Sequence, residues 1–248
     1  MAEEELVATV VVCEAEADRR TASTLADRVL RESVDWIDAT TIDHVRRYRG
    51  LDGHDSYIKW ANMPEIADKH RIFAHGFIRG EQRQPEAAMA ERALLLVKKV
   101  LPSHAGAVLL VRDADKDGRR RQGFEQARGA HPWPFQVIIG VADTKRECWV
   151  LAGYEPRDDA ERALLDAERR ELGRDPRHAA EKLTASKDGA RRDAKRVLKA
   201  LTGGDRDRED TCLEEAPLAL LKERGASTGL ADYLLELEER LVPLFDRC

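Results

Sequence analysis

Three aspartates at alternate positions, Asp113, Asp115 and Asp117, close the stretch Ala107-Val-Leu-Leu-Val-Arg-Asp-Ala-Asp-Lys-Asp-Gly118. Carboxylates this close repel one another unless a positive charge lies between them, and a hard divalent cation with oxygen ligands is the usual partner. The apolar run before them has the length of a strand buried on both faces. Carboxylates at the end of such a strand stand where open α/β sheets bind ligands. A second β-branched run, Leu6 to Cys13, passes straight into Glu14-Ala-Glu16-Ala-Asp18. Two buried strands that each end in carboxylates predict a metal site at one sheet edge. Two plainer readings compete: an acidic turn without metal, or a calcium loop of the EF-hand type. The second lacks its twelfth-position Glu, because Phe124 stands there and Glu125 comes one step late.

The elements that would carry these residues alternate. Thr21 to Glu32 keeps helical spacing through Leu25, Val29 and Leu30, and Val34 to Ala39 reads as a short strand. Pro85 to Val100 predicts a helix with Pro at its first turn, and Pro102 and Gly106 mark the loop into the central strand. A helix follows Arg119-Arg120-Arg121, then a third apolar run over 135–141 leads towards Lys145, Glu147 and Trp149. Strand, helix and strand in alternation imply βαβ units and a mainly parallel sheet. Between Thr40 and Gln84 the pattern is irregular, with glycines at 50, 53, 76 and 80 and with His44, His54, His70 and His75. No pair of these has zinc-helix spacing, so they read as satisfied or surface histidines. The segment's Arg46, Arg47, Arg49, Tyr48, Tyr57 and Trp60 either clamp a nucleic-acid strand or pack a small subdomain. From Asp158 onward the chain reads as helical. Asp158 to Leu172 and Pro176 to Leu201 are followed by a polar linker over Thr202 to Asp210, then by helices over 216–222 and 229–245. Arg191, Arg192, Lys195, Arg196 and Lys199 recur at helical spacing, as a solvated face or as a track for a phosphate backbone.

Composition narrows the functions. The 248 residues carry 42 basic and 47 acidic side chains, a net charge of −5, so any nucleic-acid binding has to be local. The four cysteines, Cys13, Cys148, Cys212 and Cys248, are scattered and form no Cys-x-x-Cys pair, so neither a zinc ribbon nor a disulfide framework is indicated. No apolar run reaches the length of a membrane span, and the acidic start is no signal peptide, so a cytoplasmic setting is expected. No convincing Ser/His or Cys/His nucleophile is present, and no phosphate-binding Gly-x-x-x-x-Gly-Lys-Ser/Thr occurs.

The two acidic clusters resemble those of a TOPRIM domain, the α/β module of type II and type IA topoisomerases, bacterial primases and OLD-family nucleases. Glu14-Ala15-Glu16-Ala17-Asp18 is similar to the family's Glu-Gly-x-x-Asp with Ala15 in place of the glycine, and Asp113-Ala114-Asp115 to its Asp-x-Asp. A closer likeness is to small stand-alone TOPRIM proteins of bacterial phage-defence systems, encoded beside an ABC-type ATPase. There, Glu147-Cys-Trp149-Val-Leu resembles their Glu-x-Trp-Leu-Leu, and Thr228-Gly-Leu230 in the helical tail looks similar too.

The resemblance implies a TOPRIM-like, mainly parallel α/β sheet flanked by helices over 1–155, with 40–85 as an irregular insertion and 156–248 as a helical C-terminal region. It implies a nuclease dependent on Mg²⁺ or Mn²⁺. Asp113 and Asp115 would bind metal, Glu14 would bind metal or act as general acid/base, and Asp18 and Glu147 would assist. Asp117, Arg119, Arg120 and Arg121 are candidates for supporting the metal ligands and for phosphate contacts, and these arginines with Arg191, Arg192 and Lys195 would meet the phosphates of DNA or RNA. An ATPase would act in trans, and self-association is left open. A topoisomerase would need a further domain for its tyrosine, and a primase a zinc region. Two other readings stay open: a non-catalytic regulatory or sensor subunit that binds metal or nucleotide, and a receiver-like phosphoryl-transfer protein with Lys145 as its lysine.

Overall fold

The computed structural model describes residues 6–246 apart from 53, 75–76, 79, 102–104 and 116. The acidic start, Gly53, His75, Gly76, Pro102 and Cys248 lie outside the described residues. The chain divides into two compact units: Met1–Arg112, Asp117–Gly140 and Leu235–Cys248 form the first, and Asp113–Lys116 with Val141–Leu234 the second.

The sheet is built from the expected runs. β1 (Val7–Cys13) and β6 (Ala107–Asp113) are neighbours, pairing in parallel from Thr9↔Ala107 to Val12↔Leu110. Their central residues are inaccessible, Val10, Val11 and Val12 in one and Val108, Leu109 and Leu110 in the other. A strand covered on both faces needs that unbroken Val/Leu sequence. β7 (Gln136–Ala142) neighbours β6 on the other side.

The far edge differs from expectation. No strand forms over Val34 to Ala39. Val34 instead closes α1 (Glu16–Ser33), its N–H bonded to Leu30 O at 3.0 Å, and the chain turns as Ile37 N–H reaches Val34 O. The edge of β1 is taken by β2 (Arg46–Arg49) and β3 (Ile58–Lys59), both parallel to it. A short helix, α2 (Ile42–Val45), leads into β2. So the segment expected to be irregular supplies two strands and a further helix, α3 (Met63–Lys69), besides the antiparallel pair β4 (Phe77–Ile78) and β5 (Glu81–Gln82). Its aromatic and arginine residues pack: Arg46 forks onto Asp27 and lies over Tyr48, while Trp60 donates to Val111 O and stacks on Phe124. α4 (Ala87–Val100) and α5 (Arg120–Ala130) pack closely, with Gly123 against the Pro85 carbonyl, where a Cβ would fall within 1.8 Å.

The second unit is helical. α6 (Arg146–Ala152) is buried along its whole length, and α7 (Asp159–Leu172) follows, capped by Asp158, whose carboxylate accepts the Glu161 N–H. The helix expected over Pro176 to Leu201 is confined to α8 (Ala194–Thr202). Ahead of it stand a 3-10 turn, Ala180–Lys182, and a strap closed by a Thr184↔Asp193 bridge and turned at Gly189, whose φ is +72°. Asp193 explains the break, because its carboxylate accepts the N–H groups of both Gly189 and Lys195 and so starts the helix there. The expected linker over Thr202 to Asp210 shrinks to a turn. Gly203 and Gly204 end α8 with positive φ, and Asp205 caps α9 (Arg206–Glu215). α10 (Leu218–Arg224) and the start of α11 (Leu230–Arg240) complete this unit, while the chain from Leu235 on, with a last 3-10 turn at Val242–Leu244, belongs to the first. No helix among the described residues is long and apolar enough to cross a membrane.

Candidate functional site

The carboxylates after β1 each have a partner. Glu14 Oε1 accepts from Arg112 Nε at 2.8 Å. Arg112 also donates through Nη1 to Glu86 Oε2 and lies over the Trp60 ring, and Arg120 Nε stands 3.6 Å from the same Glu86. Glu16 pairs with Arg19 one turn on. Asp18 Oδ2 accepts the Ala15 N–H at 2.9 Å, so the carboxylate expected to assist a metal starts α1. Cys13, sealed beneath this turn, has its thiol pushed well above the usual range, first by burial and then by Asp18 and Glu16.

The carboxylates after β6 are arranged differently. Asp113 Oδ1 accepts the Arg146 N–H at 2.7 Å, while Ala114 N–H bonds to Ala142 O and Asp115 N–H to Thr144 O. Asp115 is exposed, in the left-handed region at φ +51°, a conformation that Asp adopts more readily than most residues. It lines a cavity of about 330 Å³ with Thr144, Lys145, Thr184, Ala185 and Ser186. Asp117 accepts from the Arg119 N–H and guanidinium, which together hold its carboxyl below the ordinary range.

Glu147 lies on buried α6 rather than at a strand end. One of its oxygens stands 3.6 Å from Arg146, and Oε2 has no hydrogen-bond partner among the described residues. The Trp149 beside it has a packing role. Its indole N–H donates to Thr228 O at 2.7 Å, and its ring stacks on Tyr233. Gly229, at φ +75°, lets the chain pass where a Cβ would meet the Val141 carbonyl at 2.2 Å. The two segments singled out for their likeness therefore meet each other.

Among the basic residues, Arg119 is the most open of its run, with its side chain 65% exposed; Arg120 faces Glu86 and Arg121 pairs with Glu125. Arg191 and Arg192 sit on the exposed strap before α8, not on a helix face with Lys195. Arg196 is spent on Glu168 and the Arg191 carbonyl.

Glu14 is neutralised by a guanidinium, Asp18 caps a helix, and Asp113 accepts a backbone N–H. Among the described residues no three His, Cys, Asp or Glu side chains gather in a group that could hold a metal ion. Arg112, which sequence reasoning passed over, was visible there as a lone charge inside an apolar run. Glu86 had no such signal. No family model, no curated protein and no solved structure matches this chain.

Proposed function

We propose that this chain is a nuclease of TOPRIM-like architecture that hydrolyses nucleic-acid phosphodiesters with Mg²⁺ or Mn²⁺, as the effector of a bacterial phage-defence pair with an ABC-type ATPase. One observation carries the reading: β1 and β6 are adjacent and parallel, Glu14 follows the first, and Asp113 ends the second. Divalent ions, when bound, stabilise the attacking and leaving oxygens of a phosphodiester. The folded chain holds Glu14 against Arg112, so activity requires that pair to open, which fits an effector under the control of a partner. Purified protein is incubated with Mn²⁺ and a panel of DNA and RNA substrates, with and without a co-encoded ABC-type ATPase. Cleavage that is lost in both Glu14→Gln and Asp113→Asn supports the reading. Cleavage that persists in both variants, or an inert wild-type chain with its ATPase present, overturns it.

A second reading is a non-catalytic regulatory or sensor subunit that binds metal or nucleotide and a partner protein, and the same Arg112–Glu14 pair favours its nucleotide-binding form. A carboxylate satisfied by a guanidinium needs no metal. Under that reading Arg112→Gln leaves the chain inert, and calorimetry detects no Mn²⁺ binding that depends on Glu14.

A further inference from the structure

The cavity beside Asp115 has walls held in place by hydrogen bonds within one compact unit. Thr144 Oγ1 donates to Leu183 O at 3.0 Å, which fixes the start of the strap against the end of the loop after β7. The strap closes on itself through the Thr184↔Asp193 bridge and the Ala185 N–H to Arg192 O bond. Asp193, 2% exposed, stands with Oδ1 3.7 Å from Lys145 Nζ and so aims the lysine. An ammonium has three donors, and one carboxylate at that distance leaves donors for a ligand. Lys145 lines the cavity, and Thr184 and Ser186 bring exposed hydroxyls to it. Residues 182–195 carry five basic side chains against two acidic ones, and one of the two, Asp193, is buried. On a chain of net charge −5 that surplus is local.

We infer that the cavity lined by Lys145, Thr184 and Ser186 seats one internal phosphate of a nucleic-acid strand, which Arg191, Arg192 and Lys195 then follow. The inference rests on the nucleic-acid part of the proposed function and not on its chemistry. A seated ammonium with neighbouring hydroxyls is a general way to hold a phosphate oxygen. Asp115 sets the class of phosphate. Asp115 lines the same cavity, and a carboxylate there repels a dianionic monoester more than a diester that carries a single charge. Strand phosphates therefore bind in preference to the terminal phosphate of a mononucleotide.

The test is binding without divalent ions, so that it stands apart from catalysis. Anisotropy of a labelled single-stranded oligonucleotide, as DNA and as RNA, is followed in EDTA at several salt concentrations. Inorganic phosphate and a nucleoside monophosphate serve as competitors. Lys145→Gln weakens binding about tenfold and lowers the salt slope by about one, as the loss of one charged phosphate contact does. Lys145→Arg retains most of the affinity, and Thr184→Val with Ser186→Ala loses a few-fold. Asp115→Asn lets the monophosphate compete more strongly, and thermal unfolding checks that each variant is folded. A folded Lys145→Gln chain that binds the oligonucleotide like wild type overturns the inference. So does a monophosphate that competes better than an oligonucleotide of equal phosphate concentration. Binding through Lys145 in a chain that never cleaves leaves this site standing while the nuclease reading falls; cleavage with Lys145→Gln unaffected does the reverse.

Discussion

Glu14-Ala-Glu-Ala-Asp18 and Asp113-Ala-Asp-Lys-Asp117 are nearly the same message: alternate carboxylates at the end of a buried strand. They end up in different states. After β1 the run goes directly into helix, so its carboxylates lie within reach of a helix N-terminus and of arginines and are consumed there. After β6 the run goes through a left-handed Asp115 into a glycine turn, and its middle carboxylate is left exposed beside a cavity. The backbone that a carboxylate leads into decides whether it is drawn into a helix start or held at the exposed rim of a cavity.

The difference between the two runs breaks most readily at Arg112. Arg112→Ala removes the cation from both Glu14 and Glu86, and because the group is partly exposed the cost is about 2 kcal/mol of stability by urea unfolding. Adding Glu14→Gln and Glu86→Gln restores part of it. A triple variant no more stable than Arg112→Ala would show that the arginine contributes by packing over Trp60 instead. Next in size, Asp18→Ala loses the bond to the Ala15 N–H and costs about 1 kcal/mol. Asp115→Asn, which keeps a residue that tolerates the left-handed backbone, stays within about 0.5 kcal/mol of wild type. Equal losses at the two positions would erase the difference between the runs.

Cys13 reports on the first run. Its thiol is raised by burial and by Asp18 and Glu16, so it stays protonated and alkylates at neutral pH only as fast as the chain unfolds. The smallest effect is at Asp117: an NMR titration is expected to find it below the ordinary aspartate value, and Arg119→Ala to move it back up. Because its folded pKa is depressed, its contribution is present above the unfolded pKa of about 3.9 and is lost as pH falls through the folded value.

The parts of the fold that were legible share a cause. The runs 6–13, 107–111 and 135–141 are apolar without interruption, and such runs have few places to go except a covered sheet. Val34 to Ala39 has the composition of a strand, yet β2 and β3 pair with the available edge of β1. Pro176 to Leu201 has the charge pattern of a helix, but Asp193 and Gly189 offer the backbone a local alternative that stops it short. The acidic candidates were legible as residue types and not as a site. A carboxylate's availability depends on its partners, and Arg112, Glu86 and the Arg146 N–H come from distant segments.

The amino-acid sequence by itself determined the alternation of buried strands and amphipathic helices, and with it an α/β protein with a mainly parallel sheet. Burial of apolar surface depends on composition and period, which are local properties of the chain. Tertiary structure alone decided which charges are spent on one another and which face an open cavity. A charge interacts with whatever lies within a few ångströms, and the chain brings Arg112 to Glu14 and Lys145 to Asp193 across 98 and 48 residues of sequence.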